Sequence, residues 1–319
     1  MSDRFTWHGG GLKAAQAQYG GSDWIDLSTG INPHGWPIPR DMAIDWSRLP
    51  GEAELQALEA AAAAHFGADP ACVCALPGTE IGLRMMGDLL PGPARWLRPS
   101  YRTHGEMLPQ ATPVERPEEA GDATLILANP NNPDGRLLDQ NRLRGLMENR
   151  WLLIDEAFAD ADPAMSMAGD VAEGRKLLVF RSFGKFFGLA GVRLGFLIGP
   201  PSFLTQVRHR LGAWPVSAPA IAIGTAAYRD RAWINTLRDQ LKHEAAALDA
   251  LLARSGHRAI GSSPLFRLIE VADAAALFAH LARRAILTRP FADHPRWLRI
   301  GLPADADAAA RLDAALRDG

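Results

Sequence analysis

Residues Ser182 to Gly195 read S-F-G-K-F-F-G-L-A-G-V-R-L-G, with one lysine, Lys185, enclosed by glycines and aromatics. The apolar run Leu177-Leu178-Val179-Phe180 precedes it and Gly195-Phe196-Leu197-Ile198 follows; each reads as a buried strand. Lys185 is therefore expected to project from a strand end into an apolar hollow. Desolvation disfavours the ammonium form there and lowers the pKa, which suits a lysine that forms an imine with an aldehyde cofactor. The plainer reading is a lysine at a strand edge whose stem covers apolar surface while its head reaches water.

The neighbourhood favours the chemical reading. Ser182 stands three residues before the lysine and Arg193 eight after it, a hydroxyl and a guanidinium fork that can both bond a phosphate. Upstream, Trp151-Leu152-Leu153-Ile154 ends in Asp155, an acid at the carboxyl end of a buried strand. Further back, Thr124-Leu125-Ile126-Leu127-Ala128 runs into the turn Asn129-Pro130-Asn131-Asn132-Pro133-Asp134-Gly135. Three strand ends then converge on one crevice, where open α/β sheets bind ligands. Pyridoxal 5'-phosphate requires such a set: Asp155 for the ring nitrogen, an amide of the asparagine turn for the ring hydroxyl, Lys185 for the aldehyde, and Ser182 with Arg193 for the phosphate.

In order and spacing, N-P-N-N-P-D-G, D-E-A-F and the Lys185 stretch resemble the fold-type I pyridoxal-phosphate enzymes of the class I/II aminotransferase group, from about residue 8 to the C-terminus. Within that group the chain is most similar to the threonine-phosphate decarboxylases of cobalamin biosynthesis. That likeness rests on His8-Gly9-Gly10, on Ser28-Thr29-Gly30-Ile31-Asn32-Pro33 and on the glycine before the lysine. The resemblance implies an α/β fold: an N-terminal arm over 1–35 packing with the small domain, a large cofactor-binding domain over 36–205 with a mostly parallel sheet, and a smaller α/β domain over 206–319. It implies a homodimer acting on a small phosphorylated amino acid, with decarboxylation of O-phospho-L-threonine to (R)-1-amino-2-propanol phosphate as the reaction. The alternatives are an aminotransferase of the histidinol-phosphate type and a non-catalytic relative that keeps the fold as a binding module. Lys185, Asp155 and Arg193 together argue against the last.

Further site residues follow from the same resemblance. Gly78, Thr79 and Glu80 open a helix whose N-terminal N–H groups suit an anion, although Thr79 also fits an ordinary helix cap. Tyr101 and His104 both qualify as the ring over the cofactor face, and His104 is the preferred one; alternatively it begins a short helix as a surface residue. Leu49 and Phe158 stand where relatives commonly carry tyrosines, which leaves Asn132 as the main donor to the ring oxygen. His8, Asn32, Arg289 and Arg299 are the substrate-binding candidates, Arg299 for the carboxylate and Arg289 for the substrate's phosphate. Read alone, His8 caps a glycine turn, Asn32 starts a turn before Pro33, and the arginines are solvated surface charges.

The 319 residues suggest two domains, and a hydrophobic share of 47% is ample for buried cores. A net charge of −2 with signs mixed offers no footprint for nucleic acid or anionic lipid. No apolar signal core or membrane-length run is present, so the expectation is a cytoplasmic protein. Cys72 and Cys74 lie too close along one strand for an ordinary disulfide and read as reduced core residues. The nine histidines lack ligand spacing, so no metal is expected. Residues 5–50, rich in Gly, Pro and Trp, read as an extended arm; Glu54–Phe66 reads as a helix stopped by Gly67, and helices from Ser202 onward mark the passage to the smaller domain.

Overall fold

The computed structural model of the chain describes residues 4–318. By contacts the chain divides into two units: one comprises the chain up to His34, Pro133–Gly135 and the chain from Leu237, the other Gly35–Asn132 and Arg136–Thr236.

The second unit is built on a seven-stranded sheet. Its order is Val73–Leu76, Gly195–Ile198, Leu177–Ser182, Leu152–Asp155, Thr124–Ala128, Ala94–Leu97, Thr112–Val114. The last five pair in parallel, whereas Gly195–Ile198 runs antiparallel to both its neighbours. The three central parallel strands are apolar almost without interruption and buried along their length. Strands covered on both faces must read that way, because neither set of alternate side chains meets water.

Helices Thr79–Leu89 and Pro201–Leu211 cover one face, burying Leu83, Met86, Phe203, Leu204 and Val207 against Ile126, Leu153, Leu178 and Phe180. Each such side chain contributes about 1.5–3 kcal/mol of transfer free energy. Helix Glu52–Phe66 starts with the Gly51 N–H bonded to Glu54 and ends at Gly67 in the left-handed conformation. It packs against helix Ala218–Arg229. That packing carries residues 206–236 with this unit, so the contact boundary falls at Leu237 rather than at 206. Cys72 closes the turn Pro70–Cys72 and Cys74 lies in the first strand; both are buried and free. Burial pushes the Cys74 thiol up to about 12, which keeps it protonated.

The first unit has a four-stranded antiparallel sheet, ordered Arg289–Pro290, Trp297–Gly301, Phe266–Glu270, Ala259–Ile260. A separate parallel pair joins Ile25–Asp26 to Ile286–Leu287. Helices Ala274–Ala282 and Ala306–Arg317 accompany the sheet, the second capped by Asp305, which accepts the Ala308 N–H at 2.8 Å. The arm is less extended than its composition suggests, since Arg4–Trp7 and Leu12–Tyr19 are helical. Tertiary contact overrides weak local periodicity here: Phe5 and Tyr19 pack their rings on Phe278, at 5.1 and 6.2 Å between centroids.

Candidate functional site

In the second unit the carboxyl ends of three parallel strands lie in register, Ala128 beside Asp155 and Asp155 beside Phe180. The pairing continues one step beyond the strands. The Asn129 N–H donates to the Asp155 carbonyl at 3.0 Å, and the Glu156 N–H to the Phe180 carbonyl at 2.9 Å. The Asn129 turn, Asp155 and Ser182 are thereby held along one sheet edge, the edge at which such sheets bind ligands.

Asp155 is buried, and both its oxygens are engaged. Oδ1 accepts the Ala157 N–H at 3.0 Å; Oδ2 lies 3.1 Å from His104 Nε2. An ionised carboxylate only accepts, so the proton of that second bond sits on Nε2. His104 Nδ1 then faces Ser100 Oγ at 2.5 Å. This geometry corrects the expectation that His104 stacks over a cofactor. Its exposure is 0%, which leaves no ring face for a ligand, and its edge is spent on Asp155.

Tyr101 is the half-buried ring of the pair, standing edge-on to His104 at 5.8 Å. Its hydroxyl donates to Glu80 at 3.0 Å, and the same carboxylate accepts from Thr103 Oγ1 at 3.0 Å and from Arg84 Nε at 2.7 Å. The Glu80 side chain therefore serves Tyr101, and only its backbone is left for the helix terminus. Burial, and then the Glu80 charge, push the Tyr101 hydroxyl up to about 12, so it remains a donor.

Lys185 lies on a single helical turn, Phe183–Phe186, that starts directly after the strand, rather than on the strand end itself. It is half-buried, with Nζ 5.5 Å from the centroid of the Phe158 ring. Ser182 is the residue that precedes this turn. Just before the next strand, at the end of the turn Ala190–Val192, Arg193 adopts the left-handed conformation with φ of 55°.

The helix Thr79–Leu89 begins beside that arginine. Gly78 has φ of 89°, and a Cβ built on it would stand 2.7 Å from Arg193 Nη2. A Cβ on Gly195 would stand 2.7 Å from the Thr79 nitrogen. Glycine at both positions lets backbone, guanidinium and helix N-terminus crowd into one cradle. These residues fit pyridoxal phosphate: a cradle for the phosphate, a held carboxylate for the ring nitrogen, a lysine for the aldehyde. Asn132 is half-buried on the turn, while Asn129 exchanges two bonds with Leu138 at 2.9 and 3.1 Å and Asn131 donates to the Pro99 carbonyl at 2.9 Å. Phe158 is buried and Leu49 exposed, and neither side chain carries a hydroxyl.

Sequence reasoning missed a buried charge cluster immediately behind this edge. Arg181 Nη1 donates to Glu156 and to Ser166, each at 3.0 Å, and Nη2 bonds Asp160, which also meets His65 at 2.9 Å. Arg181 and Glu156 sit one residue from Ser182 and Asp155, so they point to the opposite face of the same strand ends. The available signal was a charged residue inside an otherwise apolar buried run, R before S and E after D. Among the described residues no group of three or more His, Cys, Asp or Glu could hold a metal ion.

In the first unit, Arg289 and Arg299 are direct partners across an antiparallel strand pair. Arg299 is buried, and Nη2 donates to the Ser28 carbonyl at 2.8 Å; Arg289 is half-buried and donates to the Trp7 carbonyl at 3.2 Å. Burial first, and then the Arg289 charge, hold Arg299 well below the ordinary arginine value. An anion bound beside the pair would offset both effects. The Ser28 hydroxyl accepts the Gly10 N–H at 2.7 Å, which ties the exposed His8 loop to the residue that holds Arg299. Asn32 is buried and its amide closes a turn, donating to the His34 carbonyl at 2.7 Å and accepting the His34 N–H at 2.9 Å. These two bonds fit the turn reading of Asn32.

The model of the family "Aminotransferase class I and II" matches residues 112–316. The chain is 38% identical over 324 residues to a threonine-phosphate decarboxylase of Sinorhizobium sp, covering 97% of each chain. It is 39% identical over 327 residues to the threonine-phosphate decarboxylase of Pseudomonas aeruginosa, covering 97% of this chain and 96% of that one. Among solved structures, the histidinol-phosphate aminotransferase from Sinorhizobium meliloti in complex with pyridoxal-5'-phosphate superposes with a TM-score of 0.83 over 97% of this chain and 94% of that one. At 21% identity that likeness speaks for the fold alone.

Proposed function

Because the chain belongs to the class I and II aminotransferase family, we propose that it is a pyridoxal-phosphate lyase. The reading is that it decarboxylates O-phospho-L-threonine to (R)-1-amino-2-propanol phosphate, in cobalamin biosynthesis. Near-full-length identity to two threonine-phosphate decarboxylases supports it. The observation that carries it is the cross-strand pair Arg289 and Arg299. Two like charges held opposite one another suit a single substrate that brings two anionic groups, a carboxylate and a phosphate.

Bound at Lys185, the cofactor supplies an aldehyde that condenses with amines and a ring that takes up the electron pair of a bond broken at the α-carbon. The chain's own residues decide which bond that is. Asp155, steadied by His104, keeps a proton on the ring nitrogen. Gly78, Thr79, Arg193 and Ser182 hold the cofactor phosphate, Tyr101 covers the ring, and Asn132 serves its hydroxyl. His8, Asn32 and Arg289 would hold the substrate phosphate, and Arg299 would hold its carboxylate. Binding energy remote from the reacting carbon thereby sets the reactive geometry. The half-buried Lys185 amine is the group suited to return a proton to the α-carbon once carbon dioxide has left.

O-phospho-L-threonine without any keto acid should release carbon dioxide through many turnovers. A single turnover that resumes only when a keto acid is added would reassign the protein as an aminotransferase of the histidinol-phosphate type.

We further infer a cytoplasmic homodimer. Trp46 and Trp214 of the second unit are 77% and 58% exposed, large apolar side chains that a second copy could cover. No helix of the described residues is long and apolar enough to cross a membrane. Sedimentation of an active monomer at micromolar concentration would remove the dimer.

A further inference from the structure

Like charges directly opposite one another destabilise a sheet, so each guanidinium of the Arg289–Arg299 pair needs a partner that offsets the repulsion. A carboxylate would do so, but it would also neutralise the arginine and compete with any anionic ligand. Beside its bond to the Ser28 or Trp7 carbonyl, each guanidinium lies over a phenyl ring. Arg299 Cζ is 4.9 Å from the centroid of Phe266, and Arg289 Cζ is 5.0 Å from that of Phe291.

The backbone builds both shelves. In Arg289-Pro290-Phe291 the alternation of a strand puts arginine and phenylalanine on the same side. Pro290 fixes its own φ and keeps Arg289 extended, so the two side chains are presented together. Phe266 is the cross-strand partner of Gly301, two residues after Arg299, and its ring spreads over a position without a side chain.

We propose that Phe291 is a positioning residue for Arg289: its ring face holds the guanidinium in place as a full cation and leaves the N–H fork directed at the substrate's phosphate, as Phe266 does for Arg299. An aromatic face attracts a cation through its quadrupole without consuming in-plane donors. The inference rests on reading Arg289 as a phosphate-binding residue. Phe266 is 1% exposed and its loss would open the core, whereas Phe291 is half-exposed and can be changed locally.

The test titrates inorganic phosphate into the holoenzyme and reads both the rise in unfolding temperature and competition with phosphothreonine. Phe291→Leu keeps apolar bulk but removes the ring face; phosphate should bind about two- to five-fold more weakly, with KM raised alike. Phe291→Tyr and Phe291→Trp should bind phosphate as the wild type does. Wild-type binding by Phe291→Leu, beside weakened binding by Arg289→Ala, overturns the positioning role. Equal weakening in Leu, Tyr and Trp variants also overturns it, because bulk rather than the ring face would then matter. Wild-type phosphate binding by Arg289→Ala instead overturns the underlying reading of Arg289. Should Phe291→Leu fold poorly, Phe291→Met takes its place against the same two aromatic variants.

Discussion

The His104 imidazole and the Asp155 carboxylate meet at 3.1 Å although 51 residues separate them in the chain. One comes from the short helix after strand Ala94–Leu97, the other from the end of Leu152–Asp155. Only the sheet, which puts Thr124–Ala128 between those two strands, makes them neighbours. His104→Phe keeps a ring in the cavity and removes the donor. A hydrogen bond to a charged group is worth about 1.5–3 kcal/mol, so turnover should fall roughly 10- to 100-fold while the protein stays folded. Steady-state kinetics beside a thermal melt checks this, and unchanged kcat would detach His104 from the chemistry.

Lys185 is half-buried, so its replacement leaves the core intact. Lys185→Ala should fold and melt near the wild-type temperature, yet yield no lysyl adduct after borohydride reduction in the presence of the cofactor. Peptide mass mapping reads the outcome, and an adduct retained at another lysine would transfer the role.

Gly78 tests the cradle. Alanine there faces a positive φ and a contact of 2.7 Å with Arg193 Nη2, so the guanidinium must move. Gly78→Ala should weaken cofactor binding about ten-fold or more, on the order of 1.4 kcal/mol, with Lys185 still able to form its adduct at high cofactor concentration. Fluorescence titration of the apoenzyme measures it; wild-type affinity would mean that the phosphate sits elsewhere.

Asp160 makes an acid-dependent contribution to stability. Burial alone would raise its carboxyl, but the Arg181 charge and the His65 bond outweigh burial and hold it well below the ordinary value of 3.8. The folded state therefore binds this proton less readily than the unfolded chain. Its contribution is whole above that ordinary value and drains away as the pH falls toward the depressed one. Asp160→Asn should cost about 3–5 kcal/mol at pH 6, as expected when a buried ion pair loses one partner. The gap to wild type should narrow as the pH falls below about 4 in urea unfolding series. A gap independent of pH would show that packing, not charge, is lost.

Much of the fold was legible in one dimension. The runs Leu125–Ala128, Leu152–Ile154 and Leu177–Phe180 are apolar at every position, which only strands covered on both faces require, and the polar residues that follow each run fall at one sheet edge. Lys185, Asp155 and Arg193 stand out as candidates because the chemistry proposed for them depends on local spacing and on strand ends. What escaped the sequence depends on direction. A ring three residues after Tyr101 could stack or turn its edge away, and the sheet decided that His104 turns to Asp155. Arg181 and Glu156 looked like polar interruptions until alternation along two adjacent strands brought them together behind the site. Without the family resemblance Arg289 and Arg299 read as two of many surface charges, because nothing local reveals that an antiparallel register sets them face to face. Period and composition are properties of the chain, but the partner of a buried charge is chosen by strand pairing between residues distant in sequence, and that choice exists only in the folded molecule.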